Sequence, residues 1–378
     1  MSNLQTHWSE AELLATDDVV EPVIVNGIRC HGGFDATGEY VSPRTKFRVP
    51  ATTAWQQAHR ENFGTDIIDA PLATWPTSYP DVAQAKYLLS QGVRGPIITT
   101  LTRIGTVEGF GAMIREVGPP GKLQRFFVES IDGTCLSHLQ HGLFEAQARD
   151  EAGWRDEAGH RDMWFAARDV AFEDPITDDE TRRMMARMGI LDTGGATNGA
   201  PASRTPPAAP APAPRLFDDL DPGIERMTRF MLGLLFIELS AFHTFAWAEE
   251  VLSDTDLVAG DGEAARIVSF VRRDETPHVE YLKAALTEIR DRTLIGESGR
   301  KHAGADVIGT IWHAALNESR DVRRPALLRA TLAEVEHALV GNRRRDEILE
   351  GFHAQGTLRP DARGELVPVG SDDLEGTA

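Results

Sequence analysis

The sequence predicts an all-α chain: a helix bundle with extra helices and an irregular N-terminal elaboration. Three observations predict it. Apolar residues recur at helical spacing from Asp81 onward, two hexapeptides of the form Arg-Asp-Glu-x-x-His fall inside such segments, and a low-complexity stretch separates the halves that carry them.

Residues 1–80 are rich in Gly, Pro and Thr (HGGFDATGEYVSPRT, then PLATWPTSYP), which favours turns and extended structure, so this region is expected to lack long helices. Residues 81–173 hold VAQAKYLLSQGV, TTLTRIGTVEGFGAMIREV and a long segment from Lys122, with GPPGK as punctuation, and form the first half of the bundle. Within residues 174–220, GGATNGAPASRTPPAAPAPAPR is too poor in apolar bulk to pack and reads as a flexible crossover linker. Residues 221–295 resume the helical pattern as the second half of the bundle. Residues 296–360 add C-terminal helices, and 361–378 form an acidic tail.

Composition excludes several function classes. The formal charge of −19, from 39 basic and 58 acidic residues, opposes binding to nucleic acid or to anionic membranes. No 18-residue uncharged apolar run or signal pattern is present. With only Cys30 and Cys135, the chain builds neither a disulfide framework nor a Cys₄ metal site, and a reducing cytoplasm fits best.

The hexapeptides are RDEAGH (Arg155 to His160) and RDETPH (Arg273 to His278). Residues three apart on a helix share a face, so Glu157 with His160, and Glu275 with His278, each offer a carboxylate oxygen and an imidazole nitrogen to one point. Such donors suit iron, manganese or zinc, and a two-metal centre in a helix bundle adds one carboxylate from each of two neighbouring helices. Reflecting the second pair across the loop near Val258 lands on Glu238, in the apolar stretch LLFIELSAF, where an unpaired carboxylate is costly to bury. Reflecting the first pair across a turn at His141-Gly142 lands on Glu129. The candidate metal ligands are therefore Glu129, Glu157, His160, Glu238, Glu275 and His278. Two partial matches, RDEAGW (Arg149 to Trp154) without a His and EGFH (Glu350 to His353) without a preceding Asp, are set aside as charge on a helix face. Pro277 removes a backbone donor inside the second motif and is expected to kink the helix there.

The order Glu, Glu-x-x-His, Glu, Glu-x-x-His over about residues 122–294 resembles the ferritin-like di-iron carboxylate superfamily, of the oxidase and oxygenase type. The resemblance implies a ferritin-like four-helix bundle, two iron ions, with manganese or a mixed pair as the variant, and O₂ as co-substrate. It also implies that Asp156 and Asp274, preceding the motif glutamates, orient the metal-bound histidines. Trp164 stands where reductase small subunits of this superfamily carry a tyrosine, and Tyr281 follows His278 on the same helix face; both are redox or orienting candidates set against plain packing. His138, His243 and Cys135 are read as core residues.

The expected function is an O₂-activating di-iron oxidoreductase acting on a small organic substrate by hydroxylation, N-oxygenation, desaturation or oxidative cleavage. A separate electron-donor protein is the expected partner and a homodimer the candidate assembly. The alternative is a non-catalytic ferritin-like iron-binding or peroxide-scavenging protein.

Overall fold

The computed structural model describes residues 4–172, 177–187, 214–361 and 366–368. The Ala/Pro-rich linker, except for Pro214 and Arg215, and the acidic tail of the last ten residues lie outside these.

After a short helix α1 (Glu10–Leu13), the strands β1 (Glu21–Val25), β2 (Ile28–Phe34) and β3 (Tyr40–Val41) form one antiparallel sheet in the order β1-β2-β3. Helix α2 (Arg48–Phe63) follows and ends on Gly64 in the left-handed conformation. The expectation of an irregular N-terminal region is corrected here. Pro50 falls in the first turn of α2, where its missing N–H breaks no helical hydrogen bond, and Ala51, Ala54 and Trp55 bury one face.

Helices α3 (Val82–Ser90) and α4 (Gly95–Gly111) come next, and then a largely irregular stretch leads to the short α5 (Cys135–His138). Helices α6 (Phe144–Ala152) and α7 (His160–Ala171) are separated by a seven-residue loop. Helix α8 (Asp178–Arg187) leads toward the crossover, and α9 (Pro222–Leu252), capped by Asp221, opens the second half. By length and composition α9 is apolar enough to cross a membrane, but Glu238 stands buried at its middle.

Helices α10 (Glu263–Asp274) and α11 (Thr276–Arg290) divide at Glu275, as the missing N–H of Pro277 requires. A hairpin of β4 (Thr293–Ile295) and β5 (Lys301–Ala303) precedes α12 (Gly304–Asn317), α13 (Arg324–Ala338) and α14 (Arg345–Gln355), and β6 (Leu358–Pro360) pairs with β7 (Leu366–Pro368). The protein is thus mostly helical.

Helix α4 packs on α6 and α7, α10 on α7 and α9, and α11 on α9 and α12. Two apolar clusters form the interior of this assembly. One takes Phe144 and Ala148 of α6, α9 as far as Leu239, and α11 from Val279 onward. The other takes Ile97 and Leu101 of α4, Met163 and Trp164 of α7, α9 from Phe245, and α10 as far as Val271. Helix α9 passes from one cluster to the other between Leu239 and Phe245, α10 and α11 divide between them at Glu275, and acids and histidines stand at that level.

Candidate metal centre

Glu108 projects from α4, Glu151 from the last turn of α6, His160 from the first residue of α7, Glu238 from mid-α9, Glu275 from the α10–α11 junction and His278 from the first turn of α11. Their ligand atoms fall into two overlapping groups, Glu108-Glu151-His160-Glu275 and Glu151-Glu238-Glu275-His278, each spanning no more than 4.8 Å. Glu151 and Glu275 belong to both. His160 Nδ1 lies 2.7 Å from Glu275 Oε1 and 3.3 Å from Glu151 Oε2; His278 Nδ1 lies 2.6 Å from Glu275 Oε2 and 3.9 Å from Glu238 Oε1. All six are buried except Glu108, which keeps a small exposed fraction.

Four of the six sequence candidates, His160, Glu238, Glu275 and His278, meet here; the other two do not. Glu157 lies in the α6–α7 loop facing Arg29, and its neighbour Asp156 is exposed and pairs with the same guanidinium at 2.9 Å. Glu129 accepts hydrogen bonds from the Thr293 backbone N–H and hydroxyl, tying the irregular stretch to β4. Glu129, Glu157 and Asp156 therefore stand away from the buried cluster that could hold metal, and Glu108, Glu151 and Asp150 stand in or beside it instead.

The reason that Glu151 stands there rather than Glu157 is visible in the sequence. RDEAGW and RDEAGH stand in tandem at residues 149–160, so the second copy places six extra residues between the Asp-Glu pair and its His. In the structure the extra residues leave the helix as a tight loop, with Trp154 and Glu157 exchanging backbone hydrogen bonds. The loop then joins the N-terminal sheet, Ala158 N–H donating to Arg29 O and His31 N–H to Ala158 O. Both glycines of the repeat are required. A Cβ on Gly153, at φ 82°, would lie 2.5 Å from Glu157 O, and one on Gly159 would lie 2.2 Å from Gly153 N and 2.6 Å from Asp150 O. This close approach brings His160 back beside Glu151. The place of Glu108 follows from packing: α6 lies against α4, so the reflected carboxylate belongs to α4. The signal for Glu108 is its setting, TVEGFG, an acid among glycines that admit α7 and α6 closely at Gly105 and Gly111.

Beyond the ligands, two aspartates each face a histidine from across the cluster. His278 Nε2 donates to Asp150 Oδ2 at 2.9 Å, and His160 Nε2 faces Asp274 Oδ2 at 3.8 Å. Asp274, expected in this role, faces the histidine of the other motif. The N-terminal region holds both aspartates. Arg44 Nε and Arg48 Nη2 donate to Asp150 at 2.6 and 2.8 Å, while His31 Nε2 and the Tyr40 hydroxyl donate to Asp274 at 2.9 and 2.8 Å. Arg44 does so at φ 54°, a backbone conformation that costs about 1–3 kcal/mol and persists only where surroundings enforce it.

The other sequence candidates fall outside the ligand set. Tyr281 is buried and its hydroxyl donates to Gln147 Oε1; Gln147 Nε2 in turn donates to Glu238 at 2.8 Å. Trp164 is buried in the second apolar cluster, 5.3 Å from the Phe245 ring, as packing predicts. His243 reaches Leu72 O, His138 bonds Thr134 O and Trp8 N, and Cys135 lies buried beside Tyr281 O.

The electrostatics are those of crowded acids. Burial, and then the Glu151 charge, push Glu238 up to about 8 and Glu108 well above its ordinary value; burial and Glu238 do the same to Glu275. Burial disfavours the charged form of His160, but Glu275 and Glu151 outweigh it and raise the imidazole well above its usual range. Asp274, despite burial, is held at about 2 by the His160 ring that faces it and by the hydrogen bond from His31, and Asp150 is held well below its usual value by Arg44 and Arg48 against the same burial.

The donor set fits metal ions on two counts. Glu151 Oε2, Glu275 Oε1 and both ring nitrogens of His160 are buried with no hydrogen-bond partner, which is costly unless another ligand satisfies them. Fully ionised, the four glutamates and two aspartates carry six negative charges; Arg44 and Arg48 offset two, and two divalent cations offset the remaining four. The buried His/Glu/Asp groups could therefore hold metal. No protein-family model, curated protein or solved structure matches this chain.

Proposed function

We propose that the protein is a dinuclear metal oxidoreductase of the ferritin-like carboxylate type, activating O₂ for the oxidation of a small organic molecule. The observation that carries this reading is the pair of overlapping ligand groups that share Glu151 and Glu275. Glu108 and His160 would complete one position and Glu238 and His278 the other, the two glutamates common to both groups standing between them. Bound there, a pair of iron ions, or manganese in one or both positions, supplies O₂ binding and electron transfer.

The chain's own residues do the rest. Both histidines present Nδ1 inward and keep Nε2 for Asp150 and Asp274, which sets ring orientation. The apolar clusters on either side keep bulk water from the carboxylates, where their interactions are strong. Gln147, held by Tyr281, steadies Glu238. Glu108 is the acid with residual exposure and so stands on the solvent side of the cluster. An open cleft of about 410 Å³ lies over the α6–α7 loop, lined by Arg29, Trp154, Arg155, Asp162 and their neighbours. Its polar walls suit a polar substrate or a docking donor better than a hydrocarbon.

The test is anaerobic loading with Fe(II), counting of metal per chain, and exposure to O₂ with optical and Mössbauer spectroscopy. Two irons per chain and a spectral change on oxygenation support the reading. Failure to bind a metal pair, or binding unaffected by Glu151→Ala and His278→Ala, overturns it. Growth of an iron core inside a large symmetric assembly would instead establish the iron-handling alternative.

A further inference from the structure

We propose that the N-terminal region is a two-armed positioning device for the metal centre: Arg44, acting through Asp150, sets His278, and His31 with Tyr40, acting through Asp274, sets His160, so each arm governs one metal position. The inference rests on the dinuclear reading above and goes beyond it.

Three observations carry it. First, the two arms are separate. Asp150 is approached by guanidinium donors from Arg44 and Arg48, and Asp274 by an imidazole and a phenol, and no donor serves both aspartates. The arms meet at a long contact, 3.5 Å from Arg44 Nη2 to His31 Nδ1. Second, the arms are built into the fold. His31, Arg48 and both aspartates are buried, and the β2 backbone that carries His31 pairs with the loop that delivers His160. Third, the arms differ in charge. Asp150 is approached by two guanidinium groups, whereas the donors to Asp274 are a phenol and an imidazole. The two metal positions are unequal because the chain outside the bundle makes them so.

Anaerobic titration with Co(II), followed by its d–d absorption and by calorimetry, tests this without reference to turnover. The steps are assigned with His160→Ala and His278→Ala. His31→Gln and Tyr40→Phe are expected to weaken the His160 step roughly 10- to 100-fold and to leave the His278 step within about twofold. Arg44→Gln is expected to do the reverse, with partial rescue by Arg44→Lys. Both steps moving together in every variant, or neither moving, would overturn the proposal. Tyr40→Phe removes a single hydroxyl and keeps the test valid where the larger changes unfold the protein. If the wild type takes up no pair of Co(II) ions, it is the dinuclear reading that fails; if it takes up two and the arms prove interchangeable, only the present inference does.

Discussion

Asp150 and His278 are 128 residues apart in the chain, yet Asp150 Oδ2 accepts the Nε2 hydrogen of His278 at 2.9 Å in a fully buried setting. The contact joins the end of α6 to the first turn of α11 and leaves His278 Nδ1 facing the acids. Replacing Asp150 by Asn keeps the shape and removes the charge. The expected result is a 10- to 100-fold loss of metal affinity, with Arg44 and Arg48 left as unpaired buried cations. Thermal unfolding measured beside metal titration separates the two effects; unchanged affinity would contradict the role given to Asp150.

Glu151 and Glu157 offer the sharpest comparison, because each is the third residue of one copy of the tandem repeat. Glu151→Ala removes an acid common to both ligand groups and is expected to abolish uptake of both metals. Glu157→Ala should retain two metals per chain and change stability by no more than about 0.5 kcal/mol, as exposed pairs do. Elemental analysis after reconstitution distinguishes the outcomes.

The stability of the metal-free chain should fall as pH rises. Glu238 has a folded value of about 8 against an ordinary value of 4.5, so the folded state holds a proton that the unfolded state gives up earlier. Its stabilisation is fully present below 4.5 and is lost as pH rises through 8; the raised Glu108 and Glu275 act in the same sense. Metal ions displace those protons, so binding is expected to release protons and to reverse the trend. Denaturant midpoints at pH 5.5 and 8.5, with and without Mn(II), give the answer.

Gly159→Ala places a methyl group 2.2 Å from Gly153 N and 2.6 Å from Asp150 O, against backbone that has no side chain to rotate away. The loop must move, and His160 with it. A loss of at least about 2 kcal/mol is expected, together with weakened metal binding. Retention of wild-type unfolding and affinity would show that the return of the chain after the repeat does not position His160.

Tyr281→Phe leaves Gln147 Oε1 without its buried donor, at an expected cost of about 1–3 kcal/mol, and loosens the amide that holds Glu238. The effect on metal affinity should be smaller than that of Asp150→Asn. Loss of all metal would instead place Tyr281 closer to the ligands' own role.

What the sequence by itself determined was local. Helical spacing marked α4, α9, α10 and α11, and Glu275 with His278 could be paired because three residues of helix leave no freedom about which face they share. Glu238 was legible because α9 and α10 are consecutive antiparallel helices, so reflection across their loop leads to the acid that stands beside Glu275 and His278. The same reasoning missed Glu108 and Glu151. Reflection presumes that neighbours in sequence are neighbours in space, whereas α6 packs on α4 across an irregular stretch of some thirty residues that includes Glu129. The repeat breaks the three-residue rule outright, since His160 returns to Glu151 only by a loop whose glycines allow backbone to approach backbone. Nor could spacing reveal that a region rich in Gly, Pro and Thr supplies His31, Tyr40, Arg44 and Arg48, because their role depends on the sheet docking against the end of the bundle. Local geometry is written in short-range periodicity, but which carboxylates share a buried site is settled by packing, where every unsatisfied charge must find a partner.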